Sequence, residues 1–187
     1  MKIASPLVLL LSLTGTVPAA AQAPDSPPEP GAASRHLTQA AVGSIAPLFE
    51  MVKGYIIASA EQMPAELYSY RPTPEVRTFG EILGHVAMGQ YWFCGAASDT
   101  PADPDNFEEI TDKAEMVAAV RGAFDFCSKA YAMDDAMAME EMEFFGQTGT
   151  RLWVLNFNAV HTWEHYGNLV TYMRANGMVP PSSQGGM

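Results

Sequence analysis

TRLWVLNFNAVHTWEHYGNLVTYMRANG, residues 150–177, reads as one long helix with punctuation at both ends. Thr150 is a good N-cap residue. Arg174 places a positive charge in the last turn, Gly177 follows as a C′ residue, and Pro180 and Pro181 forbid continuation. One row of this helix holds Val154, Asn158, His161, His165, Leu169 and Tyr172. The row is largely apolar, so it faces inward. His161 and His165 are spaced i, i+4, which puts both imidazoles on that face, one turn apart, where they could share one metal ion.

The upstream chain carries similar punctuation. Thr78-Phe79-Gly80-Glu81 is a capping box, and the helix it opens should run to about Ala97. Asp112 and Glu115 open a third helix, with Met116, Val120, Phe124, Cys127 and Tyr131 at helical spacing. Leu37 to Gln62 has helical periodicity interrupted by Gly43, Pro47 and Gly54, so a kink or a late start near Pro47 is expected. No alternating pattern of useful length suggests a strand. Four helices of about 20 residues with connections of about 10 to 15 argue for an all-α fold, a four-helix bundle spanning residues 36–179.

The chain has 187 residues, which suits one domain. Its 10 Lys+Arg against 21 Asp+Glu give a net charge of -11. That balance excludes nucleic acid as an expected partner, because phosphate binding needs a basic surface. It also disfavours an anionic membrane surface.

The N-terminus has the grammar of an address. Lys2 supplies a positive start, Ile3 to Val17 an apolar stretch, and Ala19 to Ala21 small residues for a peptidase. Residues 1–21 are therefore expected to be a cleaved signal peptide, and the mature protein to be exported to the periplasm. The apolar run is broken by Pro6, Ser12, Thr14 and Gly15 and is short for a bilayer span, so no stable membrane insertion is expected after cleavage. Residues 22–35 read as a disordered tether and 180–187 as a disordered tail.

The third histidine of interest is His85, on the second helix in the row Ile82, His85, Gly89 and Trp92. Gly84 and Gly89 beside it suggest room for a ligand. On pattern alone, two readings of His85, His161 and His165 stand level: a metal site built from two facing helices, or hydrogen-bonded core residues. Three neutral imidazoles suit Zn, Ni, Fe or Cu rather than Ca or Mg, and three protein ligands leave positions open. HTWEH is not the zincin HExxH string; Glu164 precedes the second histidine and reads as a surface acid. Tyr91, Trp92, Asn158, Trp163 and Tyr172 are pocket candidates by helical row, with ordinary core packing as the alternative.

At two stretches the chain resembles the DinB-like family of metal-binding proteins. One is RPTPEVRTFGEILGHVAMGQYWF, residues 71–93, with its Phe/Ile/Leu pattern leading to a helix-borne His. The other is NAVHTWEHYGNLVTYMRANGMVPPS, residues 158–182, with HxxxH and the Arg-x-x-Gly-x-x-Pro ending. The resemblance covers most of residues 37–182. It implies a four-helix bundle of up-down-down-up order, metal ligands at His85, His161 and His165, and helix-face homodimers. It further implies chemistry at a metal-activated thiol or water: a metal-dependent hydrolase or thiol transferase acting on a small molecule. A non-catalytic metal- or ligand-binding bundle is the alternative.

The resemblance also bears on the cysteines. Cys94 and Cys127 each lie about 25 Å along their helices at 1.5 Å per residue. They share a height only if those two helices run parallel, as the family's down-down middle pair does. A Cys94–Cys127 disulfide is therefore expected, suited to an exported protein; two buried free thiols are the alternative. The acids of residues 99–115 and 134–143 do not fit a calcium loop and read as solvated.

Overall fold

The computed structural model of the protein describes residues 40–184. The expected signal peptide, the tether and the last three residues lie outside them. The fold is mostly helical. Four long helices, α1 (Val42–Gln62), α2 (Phe79–Ala97), α3 (Lys113–Ser128) and α4 (Arg151–Ala175), are joined by short helical turns. A hairpin of β1 (Glu141–Phe144) and β2 (Gln147–Thr150) precedes α4.

The caps form where the sequence places them. The Thr78 side chain accepts from Glu81 N–H, and the Glu81 carboxylate accepts from Thr78 N–H at 2.6 Å. Asp112 accepts from Glu115 N–H, and Thr150 from Trp153 N–H. At the end of α4, Gly177 takes φ +72° while Gly177 N–H and Met178 N–H return to the carbonyls of Arg174 and Met173. That satisfies the last-turn carbonyls.

α1 does not start late at Pro47. Its first N–H groups, on Ala41 and Val42, both donate to the Asp135 carboxylate at 3.0 Å. This cap comes from 93 residues away in sequence, so no local signal announces it.

Contacts fix the helix directions. Tyr55 of α1 packs on Trp163 and Tyr166 of α4, and Gln62 at α1's end bonds the Val179 carbonyl beyond α4's end; these two run parallel. α2 opposes α4: Tyr172 hydroxyl donates to the Arg77 carbonyl at one end, and Arg151 donates to the Ala97 carbonyl at the other. α3 opposes α1: Lys113 donates to the Glu61 and Met63 carbonyls, and Lys53 donates to Ser128. α2 and α3 therefore run parallel. Cys94 and Cys127 pair near their C-terminal ends, with Cα atoms 5.1 Å apart.

The core between the helices is apolar, with Phe49, Ile56, Leu83, Phe124, Leu155 and Leu169 fully buried. Each such side chain contributes roughly 1.5–3 kcal/mol. A short polar string crosses it. Asn158 donates to Gln90 Oε1 at 3.1 Å, and Gln90 donates to Thr162 Oγ1 at 3.0 Å.

Three expectations need correction. The fold is not purely helical, because residues 141–150 form the hairpin; its strands are four residues long, too short for alternation to show. Residues 180–184 are not a loose tail. They form a turn held by Ser182 N–H on the Tyr166 hydroxyl and by Gln184 on Gln62. Gly84 leaves no room for a ligand. The loop returning from α2 to α3 passes so close that a Cβ there would stand 2.5 Å from the Phe107 backbone.

Candidate metal centre

His85 sits two turns into α2, and His161 and His165 lie one turn apart on α4. Because the helices are antiparallel neighbours, the three rings meet. His161 Nε2 lies 3.1 Å from His85 Nε2 and 3.1 Å from His165 Nε2. The three ligand atoms all lie within 4.8 Å of one another. Two nitrogens each about 2.0–2.1 Å from one ion at a tetrahedral angle would be about 3.3 Å apart. Two of the three spacings therefore match a shared ion.

Hydrogen-bond arithmetic points the same way. His85 Nδ1 lies 3.2 Å from Glu108 Oε1. A carboxylate only accepts, so the proton sits on Nδ1 and His85 Nε2 presents a lone pair. His161 Nε2 could donate to only one of its two imidazole neighbours, and its buried Nδ1 has no protein partner. Neutral tautomers leave at least one of the two Nε2 contacts without a proton to share, whereas a cation would take all three Nε2 lone pairs; the His161 Nδ1 is without a protein partner in either case.

Electrostatics keep the rings neutral, the form that binds metal. Burial, then the charges of His165, His85 and Arg77, lowers the His161 pKa to about 3. Burial, with His85 next, lowers that of His165 to about 4. His85 is also lowered, by burial and then Arg77, with Glu108 opposing.

Two glycines shape the site from behind. At Gly84 the close-packed loop delivers Glu108 to His85. At Gly89 a Cβ would stand 3.0 Å from His161 Cε1, so the ring seats directly on α2. Glu108 also accepts from Arg77 Nε at 3.3 Å. In front, His165 opens on a groove of about 600 Å³, lined among others by Arg71, Arg77, Glu81, Asn168 and Tyr172.

The other pocket candidates separate. Tyr172 lines this groove. Asn158 is fully buried in the polar string, one turn beneath His161–Thr162. Trp163 packs against α1 through Tyr55. Tyr91 and Trp92 line a second groove, of about 530 Å³, with Phe144 and Phe145. Trp92 is 48% exposed rather than inward; ten residues at 100° each carry it about 80° round from Ile82. Glu108 is the site residue that sequence reasoning missed, since it reads as one of several solvated loop acids. The available signal was Gly84, a mid-helix glycine beside a candidate ligand.

With this geometry in place, likeness to other proteins becomes informative. Residues 48–169 match the model of the DinB superfamily. The match spans more than half of the chain, and the protein belongs to that superfamily. A DinB-like protein of Bacillus cereus ATCC 10987 superposes with a TM-score of 0.61 at 16% identity, over 70% of this chain and 89% of that one. A DinB-like protein of Bacillus subtilis, YjoA, superposes with a TM-score of 0.63 at 19% identity, over 77% and 99%. Both share the fold. No curated protein matches the chain. Among the described residues, no helix is long and apolar enough to cross a membrane.

Proposed function

We propose that His85, His161 and His165 hold one divalent transition-metal ion, Zn, Ni or Fe, within a four-helix bundle of up-down-down-up order. The observation that carries this reading is the convergence of three Nε2 atoms at 3.1 Å steps, with a carboxylate behind one of them. Imidazole ligands suit these metals. When bound, such an ion supplies Lewis acidity toward water or a thiol at its remaining positions. The groove in front of His165 supports an open, reactive site over a closed structural one. The activity we assign is that of a metal-dependent hydrolase or thiol transferase acting on a small molecule.

The chain's own groups have distinct tasks in this reading. Glu108 holds the Nδ1 proton of His85 and so keeps its Nε2 free. Arg77 steadies Glu108. The Tyr172 hydroxyl anchors the Arg77 carbonyl, tying the groove wall to α4. Gly89 sets the approach of His161. Residues 1–21 support export to the periplasm, and the Cys94–Cys127 pair suits an oxidising compartment.

Cobalt substitution tests the open site. The Co(II) protein should show visible bands that shift when 2-mercaptoethanol or azide is added. Bands that ignore both additives would mean a closed shell, and the non-catalytic alternative would replace this reading.

A further inference from the structure

The groove beside the histidines carries two guanidinium groups with donors to spare. Arg77 spends its Nε on Glu108; among the described residues its two terminal nitrogens make no hydrogen bond. Arg71 makes one long contact, Nη1 to the Val76 carbonyl at 3.5 Å, and its Nη2 stays 3.9 Å from Glu81. Both side chains line the same groove as His165. They stand at the two ends of the turn Arg71–Arg77, whose prolines at 72 and 74 stiffen it.

The groove also holds three carboxylates, Glu75, Glu81 and Glu108, against the two guanidinium groups. Glu81 is engaged by the Thr78 N–H at 2.6 Å, and Glu108 is shared between His85 and Arg77 Nε. Glu75 is exposed at the rim. The lining becomes slightly positive only with a dication on the three neutral imidazoles, on a protein whose overall charge is -11. Guanidinium forks are suited to two-pronged binding of carboxylate or phosphate.

We infer that the small molecule taken by this groove is an anion, whose carboxylate or phosphate group Arg71 and Arg77 hold while its other end faces the histidines. The inference rests on the metal reading above and names the substrate class for that site. It separates the groove from the Tyr91–Trp92–Phe145 groove, which is apolar and has no cation in its wall.

The test uses hydroxamates, which bind metal at one end. Carboxylate-tailed and phosphonate-tailed compounds of three chain lengths are compared with uncharged alkyl hydroxamates of equal length. Titration calorimetry is run on the Zn-loaded full-length mature protein, with zinc content measured in parallel. At least one anionic compound should bind about tenfold or more tighter than its neutral match. Which tail wins separates a carboxylate from a phosphate ligand. The double variant Arg71→Gln/Arg77→Gln, compared at matched zinc content because Arg77 also steadies Glu108, should bind the anionic and neutral compounds alike. Arg71→Gln alone, which leaves the Arg77–Glu108 pair intact, should lose part of the preference. Equal affinities in the wild type would overturn the inference while leaving the metal site standing. A preference that survives the double variant would also overturn it. Absence of zinc, with no binding of either compound, would overturn the metal reading and this inference together.

Discussion

Glu108 Oε1 lies 3.2 Å from His85 Nδ1, although 23 residues separate them and they sit on different elements. The contact exists because Gly84, one residue before His85, lets the Phe107–Glu108 backbone rest on α2. A carboxylate behind a ligating imidazole fixes its tautomer and raises its basicity. Glu108→Ala should therefore weaken metal affinity about 10–100-fold, read by competition with a chromophoric chelator. Glu108→Gln, which can still accept through its amide oxygen, should fall between. Unchanged affinity in both variants would remove Glu108 from the site.

Gly84→Ala and Gly89→Ala should fail differently. At Gly84 the new methyl meets backbone at 2.5 Å, which cannot step aside without moving the loop. Overpacking of this kind costs about 1–3 kcal/mol, and Glu108 moves with the loop. At Gly89 the methyl meets the His161 ring at 3.0 Å, so metal affinity should fall with a smaller loss of stability. Urea unfolding of metal-free protein, set beside chelator competition, separates the two. Equal losses of stability would contradict this account.

Acid should destabilise the metal-free protein through its histidines. In the folded state His161 and His165 hold pKa values of about 3 and about 4. In the unfolded chain they charge below about 6.5. Between those values the unfolded chain binds more protons, so this contribution is full above about pH 6.5 and is lost as the pH falls toward 4. The urea midpoint should drop more between pH 7.5 and pH 5 for wild type than for His161→Gln/His165→Gln. Parallel pH profiles would show that the rings are not held neutral by the fold.

The cysteine pair closes a separation of 33 residues. Bridging a loop of that size stabilises by about 2–4 kcal/mol, chiefly through the unfolded chain. Cys94→Ala/Cys127→Ala should lower the urea midpoint accordingly, while metal content stays at wild-type level. Two alkylatable thiols in native protein purified without reductant would contradict the bridge.

Much of this was written in local residue chemistry. Thr78, Asp112 and Thr150 each announce a helix start and each makes the capping bond. The rows carrying His85, His161 and His165 foretell which rings meet. What stayed hidden depends on distant partners. Asp135 caps α1 from across the molecule. Glu108 looks like its solvated neighbours until Gly84 brings its loop onto α2. The hairpin was illegible because four-residue strands carry little periodicity. Trp92 was misplaced because a straight row drifts round a helix of 3.6 residues per turn.

The central claim is that three histidines from two helices hold one metal ion. Elemental analysis of untagged protein tests it, beside the variant His85→Ala/His161→Ala/His165→Ala. About one equivalent of Zn, Ni or Fe is expected in the wild type and none in the variant. No metal in the wild type, even after incubation with Zn, Ni, Fe and Cu, would contradict the claim and return the three histidines to the core.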